Sequence, residues 1–120
     1  MKNILVIDDD PILNHGYCSL LKEIGYKSFS ANSAFEGLKI LKENTPDGII
    51  LDLNMPKMDG IAFLENANVA QDYPATKVLV FSVIDDDERI ERAFELGASR
   101  YIVKTMLSPK DFQQIITDEI

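Results

Sequence analysis

The sequence predicts an α/β fold, a single doubly wound (βα)5 sandwich built on a parallel sheet. Residues 4–7, 49–51, 78–81 and 101–103 are short apolar runs, and residues 27–31 form a short alternating stretch. Each is followed by a segment whose apolar residues return at helical spacing. The apolar runs show no polar alternation, so these strands are buried on both faces, as in a parallel sheet covered by helices on each side. The predicted strand order is 2-1-3-4-5, one of the common doubly wound orders.

The first strand, rich in β-branched side chains, ends at Asp8, Asp9 and Asp10. Asp10 is placed to cap the next helix, with Pro11 at its first position, an apolar face of Leu13, Tyr17, Leu20, Leu21 and Ile24, and Gly25 as its stop. Residues 27–31 suit an edge strand. Ser33 with Glu36 three positions on predicts a capping box, and that helix continues through Leu38 and Leu41 to about Glu43. The third strand, after Gly48, emerges at Asp52. From Gly60 a helical pattern runs through Ile61, Leu64 and Ala67 until the Tyr73-Pro74 step ends it. The fourth strand ends at Ser82. Asp85, Asp86, Asp87 and Glu88 then make an acidic helix start, with Ile90, Ala93 and Phe94 as the apolar face and Gly97 as the stop. The fifth strand ends at Lys104. Ser108, Pro109 and Asp111 start the closing helix, which buries Phe112, Ile115 and Ile116.

With 120 residues, 46% of them hydrophobic, residues 1–120 read as one domain with a sizeable core. A formal charge of -8 argues against direct binding to nucleic acid, which needs clustered Lys and Arg, and favours a cation or a basic partner. Cys18 is the single cysteine, which excludes an internal disulfide and suits a reducing compartment. It reads as a semi-buried helix residue. The apolar run near the N-terminus is too short for a signal peptide, and no run approaches bilayer length, so a cytoplasmic location with no membrane contact is expected.

Ligands of open parallel sheets bind beyond the carboxyl ends of the strands, where the winding reverses. Strand one delivers Asp8 and Asp9 to that edge, strand three Asp52, strand four Ser82 and strand five Lys104. Two like charges about 4 Å apart repel by roughly 4 kcal/mol at an effective dielectric near 20, so the three carboxylates need counter-charge. Lys104 supplies one positive charge, and a divalent cation with oxygen ligands, Mg²⁺, would supply the rest. With a phosphate as third party, Asp52 becomes the nucleophile, and the metal, Lys104 and Ser82 neutralise its oxygens.

These residues resemble the receiver domain of two-component response regulators over essentially the whole chain, and that resemblance implies a flavodoxin-like sandwich. Four segments carry it, in order: I-D-D-D-P at 7–11, D-L-N-M-P-K-M-D-G at 52–60, Ser82, and G-A-S-R-Y-I-V-K at 97–104. The resemblance implies that Asp52 accepts a phosphoryl group from a histidine kinase or histidine phosphotransfer protein. It implies Mg²⁺ held by Asp9, Asp52 and the backbone carbonyl of Asn54, with Asp8 acting through water. Ser82 and Lys104 would contact the phosphoryl group, and Tyr101 would change rotamer as Ser82 moves. The face of the fourth helix, fifth strand and closing helix would then bind an output domain, a partner protein or a second copy of the chain.

Two departures from the family pattern stand out. Val83 follows Ser82 where a small residue is usual, and is expected to narrow access to Asp52. Thr105 follows Lys104 where a proline joined by a cis bond is usual; a cis bond before a non-proline residue costs about 2.5 to 4 kcal/mol, so a trans bond and an altered loop are expected. Both leave room for a pseudo-receiver, an interaction module that is not phosphorylated. A haloacid-dehalogenase-like phosphatase is the enzymatic alternative. That family carries a second carboxylate two residues after its aspartyl nucleophile, where this chain has Asn54, which favours a phosphoacceptor over an enzyme that turns over. Elsewhere simpler readings compete: packing for Tyr101, an exposed helix position for His15, and a solvated helix face for Arg89 and Arg92.

Overall fold

Stiff β-branched and leucine side chains fill the strands, and in the computed structural model, which describes residues 1–83 and 86–120, they pack a single sheet on both sides. The strands are β1 (Asn3–Ile7), β2 (Lys27–Ala31), β3 (Gly48–Leu51), β4 (Lys77–Ser82) and β5 (Arg100–Val103). They pair in parallel in the order β2-β1-β3-β4-β5, as the sequence predicts. Successive side chains point to opposite faces, so Leu5, Ile7, Ile49, Leu51, Val78 and Val80 share one core while Ile4, Val6, Ile50, Leu79, Phe81 and Ile102 share the other.

The second core is closed by α1 (Pro11–Glu23) and by α6 (Pro109–Glu119), which is the closing helix. Its centre is an aromatic cluster in which the Tyr17 ring lies 5.0 Å from Phe112 and 5.8 Å from Phe81. The first core is covered by α2 (Ala34–Glu43), α3 (Gly60–Ala67), the short α4 (Val69–Asp72) and α5 (Asp87–Glu95). The caps follow the sequence: Asp10 Oδ1 accepts from the amides of Ile12 and Leu13, and Ser33 Oγ accepts from Glu36, the first half of the predicted box. Ser108 and Asp111 form a complete box at α6. Gly25 and Gly97 end α1 and α5 at positive φ.

The helices differ from expectation in three places. The segment after Gly60 is two helices, because Asn68 takes the left-handed conformation (φ 51°), which Asn tolerates better than most residues, and ends α3. In α1 the buried positions are Asn14, Tyr17 and Leu21, whereas Leu13 is exposed. The polar Asn14 can be buried because backbone carbonyls at the strand ends receive its amide. In α5 Ala93 alone of the predicted face is buried, and Phe94 is 45% exposed. Neighbouring helix residues point about 100° apart, so a helix that buries Ala93 in the first core turns Phe94 aside. Of the acidic start predicted for α5, Asp86 is the cap, and Asp85 lies outside the described residues. Lys104–Met106 forms one 3₁₀ turn, and among the described residues every peptide bond is trans, including the one that precedes Thr105.

The segment from β3 to α3 closes on itself. Gly60 donates its amide to the carbonyl of Leu53 (3.0 Å), and a Cβ at Gly60 would stand 2.7 Å from both the Asp52 carbonyl oxygen and the Leu53 Cα. Those neighbours are backbone and cannot rotate away. Gly60→Ala should therefore cost about 1–3 kcal/mol, read as a lower urea midpoint at unchanged slope.

Candidate functional site

Strand register builds the site. Ile7 of β1 pairs with Leu51 of β3, so the residues that follow, Asp8 and Asp52, come out side by side. Both continue the ladder by one bond: Asp8 donates its amide to the Ala31 carbonyl (3.1 Å) and Asp52 to the Ile7 carbonyl (3.0 Å). Their carboxylates are therefore fixed to the sheet edge and almost out of solvent, at 1% and 5% exposure. Asp9 is exposed, and the three carboxylates bring ligand oxygens within 4.8 Å of one another.

Each buried carboxylate uses one oxygen locally. Asp8 Oδ1 accepts from the Asp10 amide and Asp52 Oδ1 from the Asn54 amide, both at 3.0 Å. The remaining oxygens meet Lys104, whose Nζ lies 2.7 Å from Asp8 Oδ2 and 3.4 Å from Asp52 Oδ2. Burial would lower the Lys104 pKa, but the hydrogen bond to Asp8 and the charges of Asp52 and Asp8 outweigh it and hold the ammonium above its ordinary range. Burial pushes the Asp52 carboxyl up, against the Asn54 amide and Lys104, which pull it down. One ammonium thus faces three carboxylates, and the cluster keeps an excess of negative charge.

That excess and the oxygen-only donor set fit a hard divalent cation. Ser82 ends β4 fully buried on the same edge, two residues beyond Val80, the partner of Leu51. Val83, next to it, is 54% exposed. Tyr101 pairs with Val80 and packs half-buried against the first core. His15 is exposed and Cys18 half-buried, in line with the simple readings of both.

Two features escaped the sequence reading. Asn14 is 1% exposed; its side-chain amide donates to the carbonyls of Asp8 (3.1 Å) and Ala31 (2.9 Å), and its Oδ1 accepts from Ser30 Oγ (2.6 Å), tying α1 to the ends of β1 and β2. A polar residue in phase with Tyr17 and Leu21 was the available signal. Arg89 does not lie on a solvated face either: it reaches Asp59 and the Leu53 carbonyl, beside Asp52. Arg92 stays at the surface, paired with Glu65 and Glu95.

The family model for the response regulator receiver domain matches residues 4–117. The chain belongs to the response regulator receiver domain family. This receiver domain is 37% identical over 93% of its length to a probable transcriptional regulator, ycf27, of Porphyridium aerugineum. It is 34% identical over 84% to the two-component response regulator ARR11 of Arabidopsis thaliana. It spans 45% and 19% of the length of those two relatives. Among solved structures, the CheY-like receiver domain protein of Methanospirillum hungatei JF-1 superposes with a TM-score of 0.90 at 27% identity, covering 98% of this chain and 92% of that one. The chemotaxis protein CheY4 of Vibrio cholerae shares the fold, with a TM-score of 0.91 at 24% identity over 100% of this chain and 99% of that one. The receiver domain is thus a module of two-component signalling.

Because burial raises the Asp52 carboxyl, there is a pH interval above the ordinary aspartate range in which the native receiver domain keeps a proton there that the unfolded chain has lost. Stability should fall as pH rises from the ordinary aspartate range through the raised pKa, and stay reduced above it. Asp52→Asn removes that penalty and should stabilise the metal-free domain by about 1 kcal/mol at neutral pH, the gain fading in acid, read by urea denaturation in chelator. Lys104→Met leaves Asp8 and Asp52 buried without a counter-charge and should cost about 3–5 kcal/mol in the same assay.

Proposed function

We propose that this receiver domain is a phosphoacceptor in two-component or phosphorelay signalling and that Asp52 is its acceptor. The observation that carries the reading is the Lys104 ammonium shared between the buried carboxylates of Asp8 and Asp52, at 2.7 and 3.4 Å, in a cluster still short of positive charge. A carboxylate oxygen of Asp52 attacks the phosphorus of a phosphohistidine on a histidine kinase or phosphotransfer protein. The O–P bond forms as the P–N bond breaks, and the imidazole leaves with the electron pair and takes up a proton.

Asp9, Asp52 and the backbone carbonyl of Asn54 would hold Mg²⁺, with Asp8 reaching it through water. When bound, the ion supplies positive charge to the phosphoryl oxygens. Lys104 neutralises one of those oxygens and Ser82 donates its hydroxyl to another. The new dianionic group draws Ser82 and Lys104 toward it, Tyr101 changes rotamer, and the face formed by α5, β5 and α6 shifts toward a state that binds an output domain, a partner protein or a second copy. Asn54, two residues after the acceptor, offers no carboxylate to activate water, so the acyl phosphate persists as a signal rather than turning over. A cytoplasmic setting suits this role; among the described residues no helix is long and apolar enough to cross a membrane.

Incubation with acetyl phosphate and Mg²⁺ should add one phosphoryl group to the intact mass, and none to Asp52→Ala. A wild-type chain that stays at its own mass would point instead to an interaction module that is not phosphorylated. Phosphate release over many turnovers would point to a phosphatase.

A further inference from the structure

Arg89 leaves α5 and crosses to the segment that follows β3. Its Nη2 lies 3.2 Å from the carbonyl oxygen of Leu53 and 3.2 Å from Oδ2 of Asp59, and its side chain is only 27% exposed. Both acceptors are structural fixtures. Leu53 is fully buried, and its carbonyl also takes the Gly60 amide that closes the loop, while Asp59 caps α3 through its other oxygen. The Leu53 carbonyl and the Asn54 amide belong to one peptide group. That amide donates to Asp52 Oδ1 at 3.0 Å. A peptide group is planar and stiff, so a tilt that moves its oxygen also moves its N–H. The Arg89 guanidinium and the Asp52 carboxylate therefore sit at the two ends of one rigid plate.

We propose that Arg89 is a positioning residue that fixes the Leu53–Asn54 peptide from α5, thereby orienting the Asp52 carboxylate and letting α5 sense directly what is bonded to it. The proposal rests on the reading of Asp52 as phosphoacceptor and adds a second link from that residue to the output face, separate from Ser82 and Tyr101. Coupling of this kind is reciprocal: a partner that pulls on α5 alters the acceptor loop as much as a group on Asp52 alters α5.

Leu53 keeps its bond from Gly60 when Arg89 is replaced, so Arg89→Gln should fold. Hydrogen exchange and the amide NMR shifts of Asn54 and Gly60, measured without phosphodonor, report the loop. Arg89→Gln should speed exchange at these amides about tenfold while those of β1 stay at wild-type rates, with Arg89→Lys, which keeps a charged donor, in between. Phosphorylation of Asp52 by acetyl phosphate should slow about five- to tenfold in Arg89→Gln. Wild-type exchange rates in the loop would overturn the proposal, and so would faster exchange spread evenly over the whole domain, which marks a general loss of stability. Were the loop selectively loosened while wild type itself took no phosphoryl group, the tie would stand and the phosphoacceptor reading would fall. Selective loosening with wild-type phosphorylation rates would overturn the orienting role.

Discussion

Asp8 and Asp52 emerge next to each other because β1 and β3 are register partners, and two buried carboxylates in that position need a cation between them. Lys104 is that cation, delivered from β5 at the far side of the sheet, nearly a hundred residues after Asp8. Much else depends on this contact. It holds the ends of β1, β3 and β5 at a common edge, and it sets the charge balance of the site. The ammonium is enough to keep both acids in place but too little to neutralise Asp9 as well. A buried ion pair is weak evidence for stability, since the desolvation of its members offsets much of their attraction. Such a cluster makes better sense as a site kept ready for a further charged group.

The surroundings hold these side chains with short-range devices. Asx turns onto Asp10 and Asn54 occupy one oxygen of each buried acid and leave the other for Lys104. Asn14 fastens α1 to the carbonyls of Asp8 and Ala31, so the first helix cannot shift without disturbing the strand ends. On the opposite side, Gly60 lets the β3–α3 loop close tightly behind Asp52, and Arg89 links that loop to α5. The loop after β3 is thus tied to the elements around it by polar contacts and by Leu53 and Met55, which are buried in the first core.

The fold was legible because strand and helix signals here are local and strong. The uninterrupted apolar runs could serve only as two-faced strands, and Asp10, Ser33 and Ser108 cap helices where their spacing said they should. The errors came where a tertiary partner overruled a local pattern. Asn14 took a buried place that an apolar helix face would assign to Leu13, because carbonyls at the strand ends satisfied it. Phe94 was turned outward because α5 buries Ala93, and the next residue along a helix points about 100° away. Asn68 broke a continuous pattern by adopting a conformation that no periodicity reports.

By itself the sequence determined the class of fold and the identity of the polar residues at the strand ends, because buried strands must terminate in whatever chemistry the sheet edge carries; the strand order was chosen as one of the common doubly wound orders and agrees with the structure. Only the tertiary structure decided how those residues divide the work. Lys104 could meet Asp8 and Asp52 only once β5 and β1 had been placed in one sheet, and a charge pair across that distance leaves no trace in local spacing. Arg89 looks like any surface arginine on an acidic helix until the fold sets α5 beside the Leu53 peptide. Its long, flexible side chain reaches a partner chosen by packing, not by neighbours in the chain.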